Sequence, residues 1–147
     1  QEKIQILSDD AADTRYKKIT GVAQGQLEKF LPKLANKKYE PIKQSGLSNT
    51  WRKRTFNDGI IDWRMSALSI HNLVRGLTKP YVGAHFDYNE NKIKVWKTKI
   101  VNDENNNIEP GKILAIDEEG FIVKAGQDSI KLIETNPKIE IKIGSYL

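Results

Sequence analysis

After Pro80 the spacing of apolar residues changes from three and four to two, and it stays there through runs too short to be helices. "VGAHFDY" and "KIKVWKTKIV", separated by "NEN", read as the two strands of a hairpin. "KILAI", "FIVKA", "IKLIE" and "IEIKI" follow, each bounded by turn formers such as "EPG", "DEEG" and "AGQD". Several short strands in so little chain point to a small closed or partly closed barrel. A five-stranded oligonucleotide/oligosaccharide-binding (OB-like) type is the nearest architecture.

Upstream the period is helical. From Asp10 the apolar residues fall at Ala12, Tyr16, Ile19, Ala23, Leu27, Phe30, Leu31 and Leu34, one face of a long amphipathic helix. Ser8, Asp9 and Asp10 are placed to cap it, Gly21 and Gly25 weaken its middle, and Pro32 is expected to end or kink it near Leu31. Residues 36–56 show no sustained period and are rich in Lys, Ser, Asn and Gly, which reads as an extended linker. A second helix fits Ser66 to Leu77, with Ile70, Leu73, Val74 and Leu77 inward and "TKP" stopping it. The expected class is mainly β with helices: a helical region over 1–40, a linker over 41–64 and a helix-plus-barrel domain over 65–147.

A length of 147 residues suffices for one core, or one domain with an appendage. With 29% charged and 38% hydrophobic residues the composition is globular, and no apolar run approaches a membrane span, so no membrane partner is expected. The absence of cysteine excludes disulfides, thiolate metal sites and a cysteine nucleophile, and fits a reducing, cytoplasmic setting. A net charge of +5 tilts the partner question toward phosphates, although the same balance also serves as plain solvation. The opening "QEKIQILSDD" has neither an initiator Met nor a signal segment, so a fragment of a longer protein is expected.

Asp58 and Asp62 are four residues apart around a glycine, as a general acid and base might be. Asp58-Gly59 is more simply a turn, and Asp62 lies one step before a helix. "DENNNIE" alternates oxygen ligands, but Ile108 stands where a calcium loop needs Gly and Leu114 where it needs Glu. His71 and His85 are the only histidines, too few for zinc, so no metal is expected. Two basic features remain. In "TWRKRT" a base could stack on Trp51 while Arg52 and Arg54 grip phosphate oxygens; solvated charges beside an anchoring aromatic explain the segment equally well. In "KIKVWKTK", alternation puts Lys92, Lys94 and Trp96 on one face and Ile93, Val95 and Lys97 on the other. That basic stripe suits a nucleic-acid backbone or the protection of an edge strand.

"RKRTFNDGIIDWRMSALSIHNLVRGLTKPYVGAHF", followed by "KIKVWKTKIV" and "EPGKIL", resembles the C-terminal part of the folate-dependent formyltransferases. The pieces that carry the likeness are Asp58-Gly59-x-Ile61-Asp62-Trp63, Asn72-Leu73-Val74-Arg75, Pro80-Tyr81-Val82-Gly83-Ala84 and Pro110-Gly111. Upstream, "DDAADTRYKKITGVAQGQLEKFLPKL" is similar to the last long helix of the family's Rossmann-like catalytic domain, and Gln44 falls where the linker often carries glutamine. The resemblance implies that 10-formyltetrahydrofolate is bound by an N-terminal domain outside this chain, together with the Asn, His and Asp that act on it. No catalytic residue or cofactor site is then expected here. The acceptor it implies is a nucleotide-linked amino sugar, with Trp51, Arg52 and Arg54 nearest the nucleotide. The alternative is initiator methionyl-tRNA, held through Lys92, Lys94 and Trp96. Asp58, Gly59, Asp62, Trp63 and Arg75 are expected to hinge linker to barrel. A stand-alone binding barrel is the remaining reading, and exposed strand edges leave a homodimer open.

Overall fold

The structure, a computed structural model, describes residues 2–147. The elements in order are α1 (Ala12–Ala35), a single 3-10 turn (Phe56–Gly59), α2 (Ala67–Leu77), β1 (Ala84–Tyr88), β2 (Asn91–Val101), β3 (Ile113–Asp117), β4 (Gly120–Lys124) and β5 (Ser129–Asn136). The strands form one antiparallel sheet in the order β1-β2-β5-β4-β3. The mainly β class with two helices and five strands is as the sequence implies.

The first hairpin pairs Ala84 with Val95 and Tyr88 with Asn91. Its two turn residues, Asn89 and Glu90, both have positive φ (47° and 62°), the twist that two-residue hairpins favour. Along β2 the alternation buries Ile93 and Val95, but the register shifts on either side of Lys97. This bulge corrects the expected inner position of Lys97: Lys97 is exposed and Thr98 takes the buried place.

"IEIKI" is not a strand. Pro137 has no N–H for the ladder, and after it the chain leaves the sheet. Ile139 and Ile141 still pack against the core. The tail then returns to the start of β3, where Ser145 O accepts from Ile113 N at 2.8 Å and Gly111 O from Leu147 N at 3.0 Å. Its alternation therefore marks a strap over the core.

α2 crosses the sheet. Ser66 Oγ accepts from Ser69 N at 3.2 Å as the N-cap, and Ile70 and Val74 are completely covered. They meet Ile93, Val95, Ile113, Val123, Ile130 and Leu132 in a single core. Each such side chain contributes about 1.5–3 kcal/mol by burial. Trp63 joins edge-to-face with Phe86, ring centroids 5.3 Å apart.

α1 departs from expectation at both ends. The cap is Thr14 Oγ1 accepting from Ala11 N at 2.9 Å, because the Asp10 carboxylate turns back to Leu7 N (2.7 Å) and Lys18 Nζ (2.6 Å). Pro32 does not end the helix near Leu31. It lies in the last turn, where its missing N–H forgoes only the one bond to Glu28 O, and the helix runs to Ala35 before Asn36 Nδ2 donates to Pro32 O at 2.8 Å. Of the apolar stripe only Ala12 is buried. Tyr16, Ile19, Leu27, Phe30, Leu31 and Leu34 all lie open.

Candidate functional site

The linker reaches the barrel through the 3-10 turn. Asp58 Oδ2 accepts from Thr55 N at 2.6 Å and from Arg52 Nη1 at 2.9 Å, while Arg52 Nη2 grips Oδ1. The Arg52 guanidinium, and after it the Thr55 N–H, hold the Asp58 carboxyl well below the usual carboxylate range. Asp62 is bound in the same way by Arg64, with Nε to Oδ1 at 2.8 Å and Nη2 to Oδ2 at 2.6 Å. Arg64's side chain and its backbone N–H lower Asp62 to about 2. Two carboxylates locked as anions are poor general acids and weak bases. Both are structural clasps.

Phe56, at the start of that turn, stacks on His85 with ring centroids 4.0 Å apart, and Lys92 Nζ lies 5.1 Å from the Phe56 ring. Next along the chain, Ile61 N donates to His85 O at 2.8 Å, so the linker covers the outer edge of β1. His85 is fully buried, and neither ring nitrogen has a hydrogen-bond partner among the described residues. Burial, with the charge of Lys92, lowers its pKa from the ordinary histidine value.

The residues expected in the hinge do not share one role. Trp63 is in the core, and its carbonyl accepts from Gly126 N at 2.9 Å. Arg75 instead ties α2 to the segment before α1, donating from Nη1 to Asp10 O at 2.7 Å and from Nε to Asn72 Oδ1 at 2.8 Å.

The two basic groups are also placed differently. Trp51 is 81% exposed, and Arg52 beside it is committed to Asp58. On the barrel, Lys92 pairs with Asp87 at 2.9 Å. Lys94 and Lys79 stand over the Trp96 ring at 5.7 and 5.4 Å from its centroid. Trp96 in turn lies on Gly83, where a side chain would meet the indole at 3.0 Å and the φ of +84° favours glycine. Lys79 was not singled out in the sequence, where it reads only as part of the helix stop before Pro80.

Arg54 has a second, unforeseen neighbour. It borders a cavity of about 370 Å³ where α1, the end of α2 and the linker meet, lined also by Arg15, Tyr16 and Tyr81. Periodicity assigns Arg15 only to the polar side of a helix, so nothing in the sequence pairs it with a residue 39 positions away.

His71 Nδ1 is 2.9 Å from Thr98 Oγ1, and no three His, Asp or Glu side chains among the described residues are grouped to hold a metal. Asp103, first in the rejected calcium pattern, accepts from Ser129 Oγ at 2.7 Å and from Lys124 Nζ at 3.3 Å. No helix among the described residues is long and apolar enough to cross a membrane.

The family described as formyl transferase, C-terminal domain, matches residues 53–147. The chain is 32% identical over 137 residues to the methionyl-tRNA formyltransferase of Mycoplasma capricolum, covering 91% of this chain and 43% of that protein. It is likewise 32% identical over 145 residues to the enzyme of the same name from Caldanaerobacter subterraneus, covering 98% of this chain and 46% of that one. A bifunctional polymyxin resistance protein, ArnA, from Wigglesworthia glossinidia is 39% identical over 101 residues, 68% of this chain and 15% of that protein. The chain thus spans less than half the length of these relatives. In fold it is similar to HypX from Aquifex aeolicus, with a TM-score of 0.56 at 14% identity over 74% of this chain and 19% of that one.

Proposed function

Because the chain belongs to the formyl transferase C-terminal domain family, we propose that it is the acceptor-side part of a longer formyltransferase whose acceptor is methionyl-tRNA. The observation that carries the acceptor is coverage. The two methionyl-tRNA enzymes match over nine-tenths or more of this chain, linker and α1 included, whereas the ArnA match covers 68%. The basic face around Trp96, with Lys79 and Lys94 over the ring, suits phosphate contacts along a tRNA.

The formyl donor, 10-formyltetrahydrofolate, would be held and used by an upstream domain. The groups that could act on it are otherwise engaged in this chain: His71 meets Thr98, His85 lies under Phe56, and Asp58 and Asp62 are clasped by arginines. The open apolar stripe of α1, from Leu27 to Leu34, supports the same division, since it offers a seam on which such a domain would pack.

A nucleotide-linked amino sugar is the second reading, favoured by the match to ArnA and by exposed Trp51 in a basic linker. The linkage of Arg52 to Asp58 weakens it, because that guanidinium is no longer free for a pyrophosphate. A competition assay on the full-length protein decides between them. With formyl donor supplied, formylation of methionyl-tRNA and none of a nucleotide-linked amino sugar is the expected result, and the opposite preference would overturn the tRNA assignment.

A further inference from the structure

The cavity between α1, α2 and the linker has a composition that packing alone does not explain. It is lined by apolar Ala12, Ile19 and Leu77 together with the arginines Arg15 and Arg54 and the tyrosines Tyr16 and Tyr81. Among the described residues neither Arg15 nor Arg54 has a hydrogen-bonded side-chain partner or an ion pair, although Arg52, Arg64 and Arg75 all do. Two permanent positive charges facing one small space repel each other unless an anion lies between them. The planar fork of arginine matches phosphate oxygens two at a time. Tyr16 and Tyr81 are each about half exposed (57% and 50%), leaving ring faces on which a planar base can stack. At about 370 Å³ the space lies within the roughly 300–1,000 Å³ of small-ligand sites.

We propose that this cavity is a nucleotide-phosphate site, in which Arg15 and Arg54 hold a phosphate and a tyrosine ring takes the adjoining base. The proposal rests on the reading that the acceptor carries a nucleotide, and names where that nucleotide is gripped. Phosphate beside a base is common to both acceptors, as a phosphodiester of tRNA or the pyrophosphate of a nucleotide-linked sugar. Its place fits an acceptor site. It lies where α1, α2 and the linker meet, and substrates commonly lie at such junctions.

The test is equilibrium binding to the full-length protein of three probes: inorganic pyrophosphate, uridine diphosphate glucose and methionyl-tRNA. The variants are Arg15→Gln, Arg54→Gln, the double variant, and Lys142→Gln as a control of equal charge change on the exposed tail. Each arginine substitution should weaken the bound probe about 10-fold, as expected for one charge-assisted contact, with Lys142→Gln unchanged. With methionyl-tRNA, each should also lower the salt dependence by about one counterion. Tighter binding of methionyl-tRNA than of the sugar nucleotide assigns the phosphate to tRNA, and the reverse order assigns it to the sugar. Equal binding by the double variant and the parent, or no saturable binding of any probe, overturns the proposal. Melting curves identify a variant that has failed to fold, and Arg15→Lys and Arg54→Lys then provide the comparison, each retaining charge but losing the fork. The acceptor reading fails separately, on the formylation assay of the full-length protein.

Discussion

Replacing Asp103 with Asn should destabilise the barrel far more than replacing its partner, Lys124, with Met. The Lys124 side chain is 2% exposed, and its only hydrogen-bonded partner among the described residues is Asp103 Oδ2 at 3.3 Å. Asn keeps the size and one oxygen for Ser129 Oγ, so the substitution removes the negative charge and leaves an ammonium stranded in the core. Breaking a buried pair this way costs about 3–5 kcal/mol. Asp103 itself is 18% exposed, which gives water a route to the stranded charge and puts the cost near the lower bound, about 3 kcal/mol. For a chain of this size that corresponds to a fall in Tm of about 6–12 °C.

Lys124→Met leaves Asp103 at the rim, still accepting from Ser129 Oγ and Asn105 N, and should cost only about 1 kcal/mol. The double variant should recover most of the loss seen with Asp103→Asn, since no charge remains buried. Thermal and urea unfolding followed by circular dichroism measure all three. If Asp103→Asn melts within about 2 °C of the parent, or the double variant is no better, Lys124 is not held by this pair. The acid limb gives an independent check. Ser129 first, then the Asn105 N–H and Lys124, hold the Asp103 carboxyl below its usual range. A lowered carboxylate contributes stability above the unfolded-state pKa, and the contribution is lost as pH falls through the folded-state value. Asp103→Asn should therefore flatten the acid side of the stability profile.

Gly126→Ala should cost about 3 kcal/mol in urea unfolding, because the new methyl would lie 2.0 Å from Arg64 O against fixed backbone. Gly21→Ala, mid-helix with nothing within 4 Å, should instead add about 0.5–1 kcal/mol; the opposite order would contradict the packing described. His85, lowered by burial, contributes stability that is full above the unfolded histidine pKa of about 6.5 and lost as pH falls through the lower folded value. Unfolding titrations of His85→Leu should lack that part of the decline, and an unchanged profile would refute it. Asp58→Asn should loosen Arg52 and Thr55 and speed limited proteolysis between Trp51 and Thr55, with cleavage elsewhere unaltered.

What the sequence discloses is set by how local the cause is. The α2 register and the hairpin at Asn89-Glu90 depend on residues within a turn of one another and are readable, while Ser66, read as the first helical residue, is the N-cap just before it. The start of α1 is misread because three acceptors, Ser8, Asp9 and Asp10, compete for one cap, and Asp10 is drawn away by Lys18, eight residues on. "IEIKI" has the period of a strand, but a single missing N–H at Pro137 turns it into a strap. Lys97 is misplaced for a similar reason: one bulged residue reverses every face after it. The site is less legible than the fold. The pairing of Arg52 with Asp58 changes the meaning of "TWRKRT", and the approach of Arg15 to Arg54 needs α1, α2 and the linker in place at once.

"TFNDGIIDWR" shows how function can be read from charge that is not available for chemistry. Each of its acids faces an arginine a few residues away, Arg52 just before the motif and Arg64 at its end, so the local sequence that supplies carboxylates also supplies the cations that silence them. Arg52 and Arg64 are consumed in turn, and the basic excess of residues 51–64 contracts to Lys53 and Arg54. Arg54 has no acidic partner among the described residues, and it borders a cavity that Arg15, likewise without an ion pair among the described residues, also lines. The same pairing that removes Asp58 from catalysis fixes the chain immediately before Arg54, through Thr55 N and the Phe56 stack on His85. A ligand-gripping arginine needs that kind of fixed base, because a guanidinium on a mobile linker would lose most of its phosphate contact to conformational entropy. On this reading the clasp and the site belong to one device, and loosening Asp58 should weaken phosphate binding at Arg54 without any change at the cavity itself.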